Sequence, residues 1–329
     1  MKTDLVGIGG LLAALLLSFG LSVAGAGEGS GAAADENATR LARPIEDARG
    51  QGVFPRPYGR VVSMNPLADH LLIQMLESER LVAVHELSAD GHPDSWRFGA
   101  YQVTTSEDSV ESLLELRPDL VVASPFIDEA VLARLREAGV STVDPGPMRG
   151  VETTLATIEM LGEVLGVTHR ADVLASRYQR ELRALAGAAA ERGRTPGMYL
   201  AIYGDAFFGG TSGTSYGDVL EYGGIRDVAE AAGHTGWPRY SAETLVALDP
   251  ELIVTQEGMA QTLREHAVTA RLRAALDPGG IIELPAALNS DAGLGVVRGA
   301  HLLGQALERR AVAPEQNQTS AAPNEQIDR

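Results

Sequence analysis

Two glutamates occupy matching places in an internal repeat of the sequence. Glu111 and Glu243 begin two similar segments, and each follows a serine, Ser109 or Ser241, that can cap the N-terminus of a helix. An acidic residue in the first turn of a helix contributes ~0.3–1 kcal/mol through the helix dipole, so each glutamate could have a purely local role. Carboxylates at equivalent places on two similar lobes would also form a two-pronged acidic surface for arginines of a partner protein.

A second set of candidate residues is aromatic or basic and lies on predicted loops. These loop residues are Trp96, Arg97, Tyr101, Tyr216 and Trp237. Each one alone could be a packing residue. Because all of them follow or border the carboxyl end of a predicted strand, where open α/β sheets bind their ligands, we expect a ligand-binding site. Arg97 would suit an anionic group on the ligand, by pairing with a carboxylate.

The glycine-rich segment 209–217 offers a candidate nucleophile. It contains Gly-Thr-Ser-Tyr-Gly around Ser215, and Asp249 and His266 or His301 follow in the order of a hydrolase triad. Such a serine lies directly on a strand-to-helix turn, whereas the preceding strand is predicted to end about ten residues earlier. The same glycines lack the Gly-Lys-Ser/Thr of a phosphate loop. We therefore predict no catalytic residue, and a secreted serine hydrolase using Ser215 is the alternative.

The histidines and the missing cysteines limit metal and redox chemistry. The seven histidines show no His-x-His or His-Glu-x-x-His spacing. His85, His92 and His234 lie on loops that could meet at a cleft, so a receptor for a free metal ion is a further alternative. We predict ordinary loop histidines, with no metal ligand and no resident cofactor. The sequence contains no cysteine, which excludes thiol catalysis, disulfides and attachment of a lipid to cysteine.

The repeat indicates the elements that carry these residues. Segments 111–123 and 243–255 each read as a short helix that ends at the residue before a proline, Arg117 or Asp249, followed by a strand. The strands are apolar without alternation, as is typical of parallel strands buried on both faces. The fold class is therefore α/β, with two Rossmann-like lobes of mostly parallel sheet.

A helical block separates the two lobes. Its second helix, from Thr168 to about Arg192, would extend on the order of 35 Å at 1.5 Å per residue. We expect a long rigid backbone helix that joins the lobes, with a ligand cleft between them. The predicted divisions are a signal peptide over 1–26, a flexible leader and linker over 27–58, an N-terminal lobe over 59–150, interlobe helices over 151–192, a C-terminal lobe over 193–310 and a disordered tail over 311–329.

Composition and the first residues indicate a compartment. The chain has 329 residues, 45% of them hydrophobic, and its net charge of −17 argues against nucleic acid as a partner. Lys2, an apolar run over 5–23 and the small residues Ala24-Gly-Ala are typical of a cleaved secretory signal, and an uncleaved N-terminal anchor is the alternative. We expect a soluble protein outside the cytoplasm that is not a lipoprotein.

Four segments together are similar to a known family. They are Arg60-Val-Val-Ser-Met-Asn-Pro, Val110-Glu-Ser-Leu-Leu-Glu-Leu-Arg-Pro-Asp-Leu-Val-Val, Tyr216-Gly-Asp-Val-Leu-Glu-Tyr-Gly-Gly and Gly236-Trp-Pro-Arg-Tyr-Ser-Ala-Glu. Their order and spacing resemble the class III periplasmic binding proteins of ABC importers, which capture iron-siderophores, haem or cobalamin. The resemblance covers about residues 59–309.

The resemblance implies a function and roles for some residues. It implies a periplasmic, monomeric receptor that delivers a metal chelate to a permease dimer in the inner membrane. Glu111 and Glu243 match the lobe-tip glutamates that dock onto permease arginines, and Trp237 matches an aromatic residue of the cleft in cobalamin-binding members. Those members also carry an aspartate near the last helix and an arginine one turn later. Asp291 fits the aspartate, but Gly295 stands in place of the arginine, so the chelate stays open.

Overall fold

The computed structural model describes residues 43–90, 94–286 and 291–319, with side chains as far as residue 312. The predicted signal peptide, the first half of the predicted leader, His92 and the end of the predicted tail lie outside the described residues. No helix within the described ranges is both long and apolar enough to cross a lipid bilayer.

Residues 43–58 form a strap on the first lobe. Two short strands, β1 (Ile45–Glu46) and β2 (Gly52–Val53), pair antiparallel. Between them, the Arg49 guanidinium donates to Asp144 Oδ2 at 2.7 Å and to the Ile127 carbonyl at 2.9 Å. The prediction of a flexible linker up to residue 58 is wrong for 45–58, because the partners of Arg49 lie far away in the sequence and leave no local signal.

The first lobe is a five-stranded parallel sheet in the order β5-β4-β3-β6-β7. Apolar clusters cover both of its faces, and neighbouring residues of one strand belong to different clusters, Val61 to one and Val62 to the other. The strands are β3 (Val61–Ser63), β4 (Leu81–His85), β5 (Gln102–Thr104), β6 (Leu120–Val122) and β7 (Ser141–Val143).

Side chains cap the N-termini of two helices of the first lobe, and one of them, Ser109, was predicted to do so. Asn65 Oδ1 accepts hydrogen bonds from the amides of Leu67 and Ala68 at 3.1 Å, and Ser109 Oγ accepts one from Ser112 N at 3.2 Å. The helices are α1 (Pro66–Met75), α2 (Glu86–Ala89), α3 (Val110–Glu115) and α4 (Glu129–Glu137). The segment around Trp96, Arg97 and Tyr101, predicted as loop, contains a 3-10 turn (Ser95–Arg97) and is flanked by α2 and strand β5.

Two interlobe helices, α5 (Val151–Val164) and α6 (Thr168–Arg192), follow as predicted. Leu174 of α6 belongs to an apolar cluster of the first lobe, whereas Tyr178 and Leu182 belong to a cluster of the second lobe. One helix therefore contributes to both cores, and this shared packing is the physical basis of a stiff connection.

The second lobe contains a mixed sheet in the order β11-β9-β8-β12-β13, with β10 beside the start of β8. Strands β10, β12 and β13 run parallel to β8, and β9 lies antiparallel to it. The strands are β8 (Thr195–Tyr203), β9 (Ala206–Gly209), β10 (Ile225–Asp227), β11 (Arg239–Tyr240), β12 (Leu252–Gln256) and β13 (Ile281–Leu284).

The helices of the second lobe include one that extends past residue 310, the predicted end of the lobe. They are α7 (Ser215–Gly223), α8 (Val228–Ala231), α9 (Ala242–Leu248), α10 (Ala260–Glu265), α11 (Arg273–Leu276) and α12 (Gly295–Thr319). A 3-10 turn (Thr269–Arg271) separates α10 from α11. Helix α12 continues through residues 311–319, which were predicted as a disordered tail.

The two copies of the repeat end in the same unusual backbone conformation. Arg117 and Asp249 have φ values of 49° and 34°, and no other non-glycine residue among those described has a positive φ. Both residues close their helices as predicted, but in a left-handed rather than an extended conformation. An arginine donates to each backbone carbonyl, Arg60 to Arg117 O at 2.9 Å and Arg273 to Asp249 O at 2.6 Å. These bonds help to hold a conformation that costs of order 1 kcal/mol or more.

Candidate functional site

Three aromatic rings, those of Tyr199, Tyr216 and Trp237, form an aromatic cluster in the second lobe. The Tyr199 and Tyr216 rings are stacked with their centroids 3.8 Å apart, and the Trp237 ring meets Tyr216 edge-on at 5.2 Å. Trp237 is 54% exposed and Tyr199 is buried. The structure brings Tyr216 and Trp237 together, but Tyr216 lies in the first turn of α7 and not on a loop as predicted. Tyr199 was not predicted as a site residue, because it lies inside an apolar strand.

The glycine-rich loop holds this aromatic cluster in place. Backbone hydrogen bonds join it to the tryptophan loop, from Thr211 N to Gly236 O at 3.0 Å and from Gly209 N to Pro238 O at 2.8 Å. A Cβ at Gly210 would lie 2.9 Å from the Tyr216 ring and 3.0 Å from the Trp237 ring. The glycine at this position therefore allows both rings to pack against the loop backbone.

Ser215 is not placed as a nucleophile. It is buried at the start of α7, directly after the N-cap Thr214, and no hydrogen bond joins it to a described histidine. The other residues of the candidate triad have different partners, because Asp249 pairs with Arg273 and His266 packs edge-on against Phe207. The geometry of a serine hydrolase is therefore not assembled among the described residues.

A small pocket lies at the carboxyl ends of β12 and β13. Tyr199 and Tyr216 form one wall, so the pocket adjoins the aromatic cluster. Thr255 and Asp291 line it as well, and both side chains are buried. Thr255 Oγ1 and Asp291 Oδ1 have no hydrogen-bond partner among the described residues. The pocket therefore combines aromatic walls with two unpaired polar atoms.

The candidates of the first lobe are separate from the aromatic cluster. Trp96 is 78% exposed in its 3-10 turn, and Arg97 follows it half-buried. Tyr101 packs against the core of the first lobe, which favours a packing role for its ring. No ring contact among the described residues joins Trp96 or Tyr101 to the aromatic cluster. Their binding of a ligand stays a prediction.

The repeated glutamates Glu111 and Glu243 are exposed in the first turns of α3 and α9. Glu111 Oε1 accepts from Arg134 at 2.6 Å, whereas Glu243 has no salt bridge among the residues with described side chains. Hydrogen bonds from its own backbone amide and from Arg134 hold the pKa of Glu111 below its ordinary value. The amide of Glu243 and the Ser241 hydroxyl do the same for the pKa of Glu243. Both carboxylates are therefore ionised at neutral pH.

His85 and His234, two of the three histidines considered for a metal site, have local partners. His85 is buried, its Nδ1 accepts from Leu87 N and its Nε2 lies 3.2 Å from the Ser106 hydroxyl; burial lowers the pKa of His85. His234, in the other lobe, packs edge-on against Tyr240. Within the part of the chain that the structure describes, no group of three or more His, Cys, Asp or Glu residues could hold a metal ion.

The sequence is similar to those of periplasmic binding proteins. A family model described as periplasmic binding protein matches residues 79–288. The cobalamin-binding protein of Halobacterium salinarum (strain R1) is 25% identical over 198 residues, which cover 60% of this chain and 53% of that protein. The match thus spans about half the length of that relative. The uncharacterized ABC transporter substrate-binding lipoprotein YvrC of Bacillus subtilis (strain 168) is 24% identical over 222 residues, 65% of this chain and 69% of YvrC.

The fold is also found among solved structures. A periplasmic heme-binding protein from Pseudomonas aeruginosa superposes with a TM-score of 0.58 at 24% identity, and the match covers 76% of this chain and 92% of that structure. At this level of identity the likeness concerns the fold: two α/β lobes joined by a long helix.

Proposed function

This chain belongs to the periplasmic binding protein family, and on that premise we propose that it captures a metal chelate and delivers it to an ABC permease in the inner membrane. The chelate classes to consider are cobalamin, haem and iron-siderophores. The first two are the ligands in the names of similar proteins, and all three follow from the resemblance of the sequence to class III binding proteins. In this proposal the protein is a monomeric receptor of the periplasm and not an enzyme.

The observation that carries the proposal is the aromatic cluster beside the pocket. About half of the Trp237 surface is exposed, and its ring packs edge-to-face with Tyr216, which is partly buried and stacks on the buried Tyr199. A large exposed ring on a rigid support is a typical contact for a flat, partly apolar ligand. The cluster adjoins the pocket at the carboxyl ends of β12 and β13, the usual place for a ligand in such sheets. We propose that Trp96 and Arg97 contribute from the first lobe, across a cleft between the lobes.

A binding experiment tests the ligand. Native mass spectrometry and absorbance spectra would be recorded after incubation with cyanocobalamin, haemin or ferrioxamine B. We expect one adduct per chain with one class of ligand. In Trp237→Ala the affinity should fall about 10-fold or more, as for a central aromatic contact. Phe54→Ala removes another exposed aromatic side chain, in the strap, and should bind like the wild type. A wild-type chain that binds none of the three ligands would overturn the proposal.

Delivery of the chelate requires a surface that docks onto the permease, and we propose that Glu111 and Glu243 form it. Glu111 and Glu243 are exposed, ionised and fixed in helices whose N-termini are capped by serines. Permease arginines would pair with both carboxylates, one on each lobe. Arg134 already neutralises Glu111 in the free protein, so docking at the first lobe would exchange one arginine partner for another. This contact should therefore be weaker than the one at Glu243.

A further inference from the structure

The first interlobe helix, α5, begins against the second lobe and ends in the core of the first. Near its start, Val151 and Leu155 pack against an apolar cluster of the second lobe. Further along the helix, Ile158 and Leu161 belong to a cluster of the first lobe. The N-terminus of α5 is therefore a place where the two lobes meet, shortly after the chain leaves strand β7.

A carboxylate of the second lobe caps this N-terminus. Asp218, in the first turn of α7, accepts a hydrogen bond from Val151 N at 2.6 Å through Oδ2. The N-cap residue of α5 is Gly150, which has no side chain that could accept this bond. A Cβ at Gly150 would overlap Asp218 Oδ2, so glycine is needed for the close approach of α7. Helix α5 thus takes its capping side chain from a residue 67 positions further along the sequence.

The Asp218 carboxylate is held between two helix N-termini without a cation. It lies in the first turn of α7 and at the start of α5, so both helix dipoles favour its charge. Among the residues with described side chains, no cation forms a salt bridge with it. Burial raises the pKa of Asp218 to about 6 against the effect of the Val151 amide, and the charges of Glu221 and Glu152 also raise it. The carboxylate is therefore ionised at pH 8.

We propose that Asp218 is a positioning residue for ligand binding, because its bond to Val151 fixes the aromatic cluster relative to the first lobe. Tyr216 lies two residues before Asp218, in the same turn of α7, and stacks on Tyr199. A shift of α7 away from α5 would therefore move the rings of the aromatic cluster relative to the first-lobe half of the site. The effect on ligand binding rests on the proposed function, whereas the effect on the position of the lobes does not.

Distances between the lobes test this role without a ligand. The sequence contains no cysteine, so spin labels would attach only at two introduced cysteines, Glu137→Cys in α4 and Glu230→Cys in α8, both at exposed positions. At pH 8, Asp218→Ala should give a broader distribution of label-to-label distances than the wild type, because the Val151 amide loses its acceptor. Asp218→Asn keeps an acceptor oxygen and should restore most of the narrow distribution. A distribution in Asp218→Ala as narrow as in the wild type would overturn the inference.

Substitutions on both sides of the contact give a sharper test. Gly150→Ala places a methyl group against Asp218 Oδ2 and should also broaden the distribution. Once Asp218 is alanine, the same methyl group has room, since Thr214 C lies 3.4 Å away, so the double variant should be no broader than Asp218→Ala alone. Effects that simply add would show two independent sites and contradict the inference. Asp172→Ala removes an exposed carboxylate of α6 and should match the wild type.

Affinity for a chelate separates this inference from the proposed function. The probes are cyanocobalamin, haemin and ferrioxamine B, and the one that the wild type binds is used for the variants. Asp218→Ala should bind it at least about 3-fold more weakly, because only the correctly oriented fraction of the molecules binds, and Asp218→Asn should bind nearly as the wild type does. A broadened distribution with unchanged affinity would overturn the positioning role and leave the proposed function standing. A wild type that binds none of the three probes would overturn the proposed function and the role of Asp218 in binding, while the distances would still decide whether Asp218 joins the lobes.

Discussion

Asp69 of α1 should make the stability of the first lobe depend on pH near neutrality. Its side chain is fully buried, and Oδ2 accepts from His85 N at 2.8 Å. Burial raises the pKa of Asp69 from 3.8 to about 7, against the opposing effects of the hydroxyls of Ser63 and Ser88 and of the His85 amide. Around pH 7 the native protein therefore holds this carboxyl partly protonated, whereas the unfolded chain holds it ionised.

The sign and the magnitude follow from linkage. Because the pKa is higher in the folded state, the contribution of Asp69 to stability is complete below pH 3.8 and is lost as the pH rises through about 7. At about 1.4 kcal/mol for each pKa unit, the full difference is about 4 kcal/mol. Asp69→Asn keeps an oxygen that accepts from His85 N and cannot ionise. The variant should therefore match the wild type near pH 4 and exceed its free energy of unfolding by up to about 4 kcal/mol near pH 8.

Urea unfolding followed by circular dichroism at several pH values between about 4 and 8 measures this difference. The lowered pKa of His85 acts in the opposite sense, because its contribution is present above its unfolded pKa and is lost as the pH falls. His85 remains in both proteins, so their difference isolates Asp69. Asp172→Asn, which changes an exposed aspartate, should follow the wild type. Parallel stability profiles for Asp69→Asn and wild type across this range would refute the reasoning.

Three further perturbations test the docking surface, the repeat and the aromatic cluster. Replacing both Glu111 and Glu243 by lysine should abolish uptake through the permease, because like charges would then face the permease arginines. The affinity for the ligand should stay unchanged. A normal uptake rate would exclude the docking role. Arg117→Gly should raise the free energy of unfolding by about 0.5–1 kcal/mol, since glycine adopts a φ of 49° without strain, and a loss of stability in urea would contradict this. Gly210→Ala should weaken chelate binding, because the added methyl group would displace the crowded Tyr216 and Trp237 rings. Gly187→Ala has open space around it in α6 and should leave binding intact and stabilise the helix. Equal binding by both variants would exclude the packing role of Gly210.

Local sequence patterns determined the elements of this protein. The repeat around Glu111 and Glu243 predicted two helix–strand units, and the capping serines fixed where their helices begin. Apolar spacing predicted α5 and α6 and their place between the lobes. These features were readable because capping, helical spacing and proline geometry act within a few residues of chain.

The tertiary structure decided which residues meet. Tyr199 reads as one more apolar strand residue until the sheet places it under Tyr216. The strap was not predicted because Arg49 bonds to residues that lie 78 and 95 positions further along the sequence. Thr255 and Asp291 lie far apart in the sequence, and only the parallel arrangement of β12 and β13 next to α12 brings both into one pocket. The sequence determines residue types and local secondary structure. Burial of a side chain, and whether it has a hydrogen-bond partner, depend on contacts between distant segments, which no local pattern encodes.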